Sequence, residues 1–495
     1  MPTLLNVLQA GADDAPALVV PGGPRLTYRR LREEVWRGAE ALAALGLGRG
    51  DRIALVYPNS AEAIVLFLAA SVAGTAAPLN PGYKVDEFAF YLEDTGARAL
   101  LVAPGAGAAA REALPGGARV VEAALDDSGS LSISSGPAAG RPLEPPSDED
   151  VALVLHTSGT TSRPKMVPLR HRHLAASVAN IVPWYRLAPD DVSLCVMPLF
   201  HVHGLVASTL STLGSGGAVV VPPRFSPFEF WALVSEHRVT WYSAVPTIHQ
   251  MLVGRGSRER PDGGASLRFA RSCSSALSPE LMGQLEDVLG VPVLEAYGMT
   301  EASHQMASNP LPPQVRRPGS VGPGTGVEVA VLDESGAALA GGRAGEVAVR
   351  GPNVMDGYEA NPQANREAFT DGWFRTGDLG ALDENGYLTL QGRIKELINR
   401  GGEKIAPREV DEVLLRHPAV AEAVTFAIPH PAWGEEVAAA VVLRFEVDRK
   451  ELLDFCRRYL ADFKVPRRLF FVEQIPRTAT GKVQRRHVAA SLASA

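Results

Sequence analysis

The stretch His156 to Leu169 reads HTSGTTSRPKMVPL and concentrates hydroxyls, a glycine and a lysine within one turn's reach. Ser158, Gly159, Thr160 and Thr161 follow the apolar run Val151 to Leu155, and Lys165 closes the segment. Backbone N–H groups of a small-residue turn can close around phosphate oxygens, hydroxyls add donors, and a lysine supplies compact positive charge. Phosphate binding is the chemistry predicted here, although the GxxxxGK[ST] spacing of a Walker A loop is absent. Four further fragments carry groups that could act with it. They are YGMTE at Tyr297 to Glu301, TGDLG at Thr376 to Gly380, GRIKELINRGGEKI at Gly392 to Ile405, and RTATGKVQRR at Arg477 to Arg486.

These fragments need a large framework to bring them together. At 495 residues the chain exceeds one ordinary core, so two or more domains are expected. A content of 46% hydrophobic and 21% charged residues belongs to a soluble globular protein. With a formal charge of -7 and no Lys/Arg tract, general nucleic-acid binding is not expected, and any anion site must be local. Cys195, Cys273 and Cys456 are far apart and odd in number, which argues for a reducing compartment and against a disulfide framework or a zinc site. MPTLLNVLQAGADD lacks a basic start and a long apolar core, so no signal peptide is read there, and ASLASA carries no SKL-type address. A cytoplasmic location without membrane attachment is the expectation. The apolar run Ala63 to Leu79 contains Gly74 and Pro78 and reads as a buried helix.

Helix and strand patterns alternate over the first hundred residues: Tyr28 to Leu45 helical, Arg52 to Val56 a strand, Ala61 to Val72 helical, Ala99 to Val102 a strand. Asp126 to Asp150 is rich in Ser, Pro, Gly and acidic residues and reads as a surface connection. A second α/β block follows, with strands expected at Ser193 to Met197, Ala218 to Val221, Trp241 to Ala244, Arg268 to Ser272 and Val293 to Tyr297. Short strands broken by Gly and Pro between Gly319 and Arg350 suggest a small β-barrel or antiparallel sheet. After Gly392 a compact α+β unit is predicted, with helices at Pro407 to His417 and Arg449 to Tyr459 and strands at Glu422 to Ile428 and Glu436 to Leu443. The predicted class is α/β: a large N-terminal domain of two sheet subdomains plus a small β-barrel, residues 1–393, and a smaller mobile C-terminal domain, residues 394–495.

In this order and at these separations, the five motifs resemble the adenylate-forming superfamily of acyl-CoA synthetases, luciferases and peptide-synthetase adenylation domains. The resemblance implies that a carboxylate attacks the α-phosphate of ATP and expels pyrophosphate, and that the CoA thiol then displaces AMP. No enzyme nucleophile is required, so catalysis rests on positioning anions and neutralising charge between them. By resemblance, Glu301 holds Mg²⁺, Asp378 the ribose, and Arg393 the ribose and phosphates, while Ser158, Gly159, Thr160, Thr161, Lys165, Tyr297 and Thr300 line the nucleotide. Lys482 carries the first half-reaction, and Lys395 is the hinge about which the small domain turns to present the Gly401, Gly402 and Glu403 loop. Phe200 and His201 match an aromatic–His pair near the thioester tunnel. One departure stands out: Ser162 and Met166 replace glycines usual in the phosphate loop, which points to a subfamily.

The acid pocket of these enzymes usually carries Gly and apolar side chains where Arg271 to Leu277 reads RSCSSAL. Ser274 and Ser275, with His203 of LFHVHG and His304 of TEASHQMASNP, would supply the donors that a buried anionic group requires. A short, dianionic acid is therefore expected. The runs LFHVHGLVAS, WYSAVPTIHQML, RSCSSALSP and LEAYGMTEASHQMASNPLP look like those of the oxalyl-CoA synthetases, which implies oxalate as the acid. Trp241 or Tyr242 would close off so small a pocket. A malonate or methylmalonate ligase would be expected to use arginine for the distal carboxylate, and a 4-coumarate-like ligase would need an aryl slot. An amino-acid adenylating module would need an acidic residue after Phe225 and a carrier domain after Arg486, neither of which is seen. An inactive nucleotide-binding paralogue would be expected to lose Glu301, Asp378, Arg393 or Lys482, and all four are present.

Overall fold

The computed structural model describes residues 2–134, 142–157, 164–256, 260, 266–477 and 483–493. Among them lie four sheets. The first runs in the order 131–133, 119–125, 97–102, 52–56, 75–78, 151–157, 165–170, parallel at its centre and antiparallel at both edges. The second runs 304–308, 293–299, 269–272, 241–244, 192–194, 218–220, 16–19, 25–27, again with antiparallel edges around a parallel centre. Strands Trp241–Ala244 and Phe269–Ser272 are buried throughout, as parallel strands covered on both faces are, and they carry the polar Ser243, Arg271 and Ser272 into the interior.

Local chemistry sets the element ends. Ser60 caps helix Ala61–Ala73 by accepting from Ala63 N, and the helix stops at Gly74, where a Cβ would meet Asp51 O at 2.7 Å. Every residue of that helix except Glu62 is buried, so it is a core helix. Ser278 caps Pro279–Leu289, which ends on Gly290 at φ +69°.

Strands Glu328–Leu332, Gly345–Arg350, Phe369–Thr370, Trp373–Leu382 and Leu388–Arg393 form the third, antiparallel sheet. The fourth belongs to the C-terminal unit and joins Glu403–Ile405, Ile398–Arg400, Gly434–Leu443, Val420–His430 and Arg468–Phe471, packed by helices Pro407–Leu415 and Arg449–Tyr459. Three elements depart from expectation. The apolar run Ala63 to Leu79 is helical only as far as Ala73, and beyond Gly74 Thr75–Pro78 is a strand pairing with Arg52–Val56. Leu131–Ile133, inside the expected connection, pairs with Arg119–Leu125 because Leu131 reaches the main core. His203–Leu210, within the LFHVHG run, is a π-helix, buried along its length.

Candidate active site

Tyr297, Thr300 and Glu301 lie at the carboxyl end of the parallel strand Val293–Met299, the usual ligand position in open α/β sheets, and the antiparallel third sheet brings Asp378 and Arg393 to it. Strand Val293–Met299 delivers Tyr297, whose hydroxyl donates to Asp378 Oδ2. Asp378 is buried on strand Trp373–Leu382, opposite Arg393 in the antiparallel register, and its Oδ1 pairs with Arg393 Nε at 2.7 Å. Arg393 also donates to Thr376 O at 3.0 Å, so the motifs TGD and GR meet as neighbouring strands. Burial and the Asp378 charge together hold the Tyr297 phenol well above its ordinary pKa, so it stays a donor.

Glu301 lies on the short turn Thr300–Ala302, buried, as is Thr300. Its Oε1 accepts from the Tyr358 hydroxyl at 2.8 Å. The face of that same tyrosine lies 4.4 Å from Lys165 Nζ. Burial pushes the Lys165 ammonium below its ordinary pKa, with Glu301 pulling the other way. A single buried carboxylate near the Lys165 ammonium fits Mg²⁺, which is held by one or two carboxylates plus substrate phosphates. Lys395 is exposed on the turn Ile394–Glu396, between the last strand of the third sheet and the first of the fourth. Ser158, Gly159, Thr160, Thr161 and Lys482 lie outside the described residues.

The residues expected on the acid side belong to a buried polar network. Ser243 and Arg271 are register partners on adjacent parallel strands. Arg271 is fully buried, and its guanidinium donates to Tyr185 OH (2.9 Å), Ser243 Oγ (2.9 Å), Gln305 Oε1 (3.0 Å) and His304 Nδ1 (3.3 Å). His203 bridges Ser243 Oγ at 2.6 Å and Ser274 Oγ at 3.0 Å, and its ring centre is 5.0 Å from that of His304. Burial, followed by the Arg271 charge, holds both histidines well below their usual pKa, so both are neutral. Ser274, Ser303 and His304 have φ of +71°, +48° and +97°, strain concentrated at this one place. Among the described residues no carboxylate pairs with Arg271.

Of the expected acid-pocket residues, His203, His304 and Ser274 converge, and His201 Nδ1 accepts from His203 N at 3.2 Å. Ser275 does not join them. The chain turns outward after Ser274 and leaves Ser275 exposed. Trp241 stacks on Phe269 and Tyr242 packs against Phe230, each within a core cluster, while Ser243 is the residue of that strand that meets His203. Arg271, Ser243, Tyr185, Gln305 and Tyr358 were not singled out by sequence. A lone arginine preceding SCSS was the one available signal.

The fold and the motif residues that it brings together are those of a carboxylate-activating ligase. A family model described as AMP-binding enzyme matches residues 7–359, and one described as AMP-binding enzyme C-terminal domain matches residues 409–482. The chain belongs to the AMP-binding enzyme family, and it is an AMP-forming acid–thiol ligase acting with ATP, Mg²⁺ and CoA. It is 49% identical to a probable CoA ligase, CCL9, of Humulus lupulus over 98% of this chain and 95% of that protein. It is 47% identical to an oxalate–CoA ligase of Arabidopsis thaliana over 98% of each. The solved structure of ATP-bound MatB from Rhodopseudomonas palustris superposes with a TM-score of 0.89 at 32% identity, covering 99% of each chain. Among the described residues, no helix is long and apolar enough to cross a membrane.

Proposed function

We propose that this ligase takes oxalate and converts it, with ATP and CoA, to oxalyl-CoA, AMP and pyrophosphate. The observation that carries the reading is Arg271: a buried cation without a carboxylate partner among the described residues, surrounded by neutral histidines and hydroxyls. Such a pocket is unfavourable until an anion enters it, and a fatty or aryl chain would leave the charge uncompensated. The guanidinium's donors are already engaged by neutral groups, so it acts one step back from the acid. A short dianion reaching the histidines is therefore favoured over a longer one.

In the first half-reaction the proximal carboxylate oxygen attacks the α-phosphorus and the bond to pyrophosphate breaks. Lys482 neutralises charge between the two anions. Asp378 accepts from the ribose hydroxyls, with Arg393 and Tyr297 fixing its orientation. Lys165 and the Ser158 to Thr161 loop hold phosphate oxygens, Thr300 lines the same site, and Glu301 would hold Mg²⁺, whose role is to offset phosphate charge. In the second half-reaction the CoA thiol sulfur attacks the acyl carbon beside His201 and AMP leaves. Between the two, residues 394–495 turn about Lys395 relative to residues 1–393.

The test is pyrophosphate release with ATP, Mg²⁺ and CoA across oxalate, malonate, acetate, 4-coumarate and octanoate, with mass spectrometry of the thioester. Oxalate should give the highest kcat/KM, and His304→Ala should lower it roughly 10- to 100-fold, the worth of a hydrogen bond to a charged group. Turnover of coumarate or octanoate with oxalate inert would overturn the assignment.

A further inference from the structure

An arginine has five N–H donors and no acceptor. At the root of a buried network it therefore imposes a direction on every hydrogen bond that leads away from it. One arm runs from Arg271 Nη2 to His304 Nδ1 at 3.3 Å. Because that nitrogen must accept and the ring is neutral, the hydrogen of His304 sits on Nε2. His304 Nε2 is buried and has no hydrogen-bond partner. The other arm runs from Arg271 Nη1 to Ser243 Oγ at 2.9 Å, then from the Ser243 hydroxyl to His203 Nε2 at 2.6 Å. His203 Nδ1–H then donates to Ser274 Oγ at 3.0 Å, which leaves the Ser274 hydroxyl hydrogen free to point outward. Ser274 is only half-buried, so this arm ends where a ligand can reach it.

Resting on the reading that the acid carries a second anionic group, we infer that Arg271 is the positioning residue of the acid pocket. It sets the His304 tautomer and the Ser243–His203–Ser274 relay so that both arms end in donors, and it thereby makes the pocket select a distal carboxylate without touching it. A buried donor without a protein partner, on a strained residue, is what the acceptor oxygens of a carboxylate would satisfy. His304 is that residue, at φ +97°. A direct arginine clamp would leave the guanidinium fork open towards the acid. Here each of the three nitrogens already has a neutral acceptor.

The experiment is a double-mutant cycle of Arg271→Met with His304→Gln, read as KM and kcat for oxalate and for acetate, which has no distal anion. Glutamine places an N–H near the Nε2 position without a tautomer to be set. Arg271→Met alone should raise the oxalate KM roughly 10- to 100-fold, the range that outer-shell partners of ligating histidines command. The KM for acetate and for ATP should stay within about twofold. In the His304→Gln background the same substitution should cost much less. Equal losses for oxalate and acetate, or an unchanged cost in the two backgrounds, would overturn the inference. If Arg271→Met does not fold, Ser243→Ala cuts the second arm alone and should raise the oxalate KM while sparing acetate; an unchanged oxalate KM would count against the relay. A wild-type enzyme inert towards oxalate and malonate would instead defeat the substrate reading, before any variant is made.

Discussion

Tyr358 holds two of the groups proposed to serve the nucleotide. Its hydroxyl donates to Glu301 and its face carries Lys165, so one side chain sets the spacing between a carboxylate and an ammonium. Tyr358→Phe keeps the ring and removes the donor. The expected result is a higher Mg²⁺ requirement for pyrophosphate release and a rate down about tenfold at limiting Mg²⁺, partly restored at high Mg²⁺. A Mg²⁺ titration of initial rates checks this, and an unchanged curve would dismiss Tyr358 as more than packing. Residues in compact motifs were legible as neighbours: Tyr297, Asp378 and Arg393 do contact one another. Tyr358 and Arg271 were not. Tyr358 meets Glu301 across 57 residues and Arg271 meets His304 across 33, and no local pattern encodes such contacts.

The element that aims His304 is the hairpin of strands Val293–Met299 and His304–Ser308, whose register shifts between Tyr297 and Gly298. That shift brings backbone hard against backbone: a Cβ on Gly298 would lie 2.1 Å from His304 O. Glycine in YGMTE is thus required by a close approach. Gly298→Ala must displace the hairpin, and a displacement of order 1 Å at a reacting group can cost ~10²-fold. The expected loss falls on oxalate kcat/KM, with a lowered Tm by scanning calorimetry; near-wild-type values of both would show that the hairpin can absorb a methyl. Strands such as Arg52–Val56 and Trp241–Ala244 and helix Arg449–Tyr459 follow directly from apolar periodicity and flanking breakers. The π-helix His203–Leu210 does not. An apolar run containing Gly204 reads the same whether its bonds span four residues or five, although its glycine is required by the close approach of Pro198 O, 2.3 Å from where a Cβ would sit.

At the scale of the whole molecule, the question is what anchors the end of the chain that carries Lys482. Three residues beyond it, Arg485 pairs with Asp411 at 2.7 Å and Glu396 at 3.2 Å and donates to Thr425 O at 2.9 Å. Asp411 sits on helix Pro407–Leu415, Thr425 on strand Val420–His430, and Glu396 beside the proposed hinge residue Lys395. Arg485 thus ties the helix Arg485–Ala493 to the C-terminal core and to the turn about which that unit would move. The sequence read TGKVQRR as a carrier of Lys482 but had no means of distinguishing a solvated arginine from a buried anchor. Arg485→Met leaves Asp411 buried and unpaired, which typically costs ~3–5 kcal/mol. The C-terminal unit should then unfold ahead of the rest, seen as a separate low-temperature transition and as cleavage after residue 393 under limited proteolysis. Pyrophosphate release should fall with it, while ATP still binds the motifs of the large domain. A single unfolding transition at the wild-type temperature would mean that Arg485 is dispensable and that the segment is held by the apolar contacts of Val488 against Val424 and Phe426 instead.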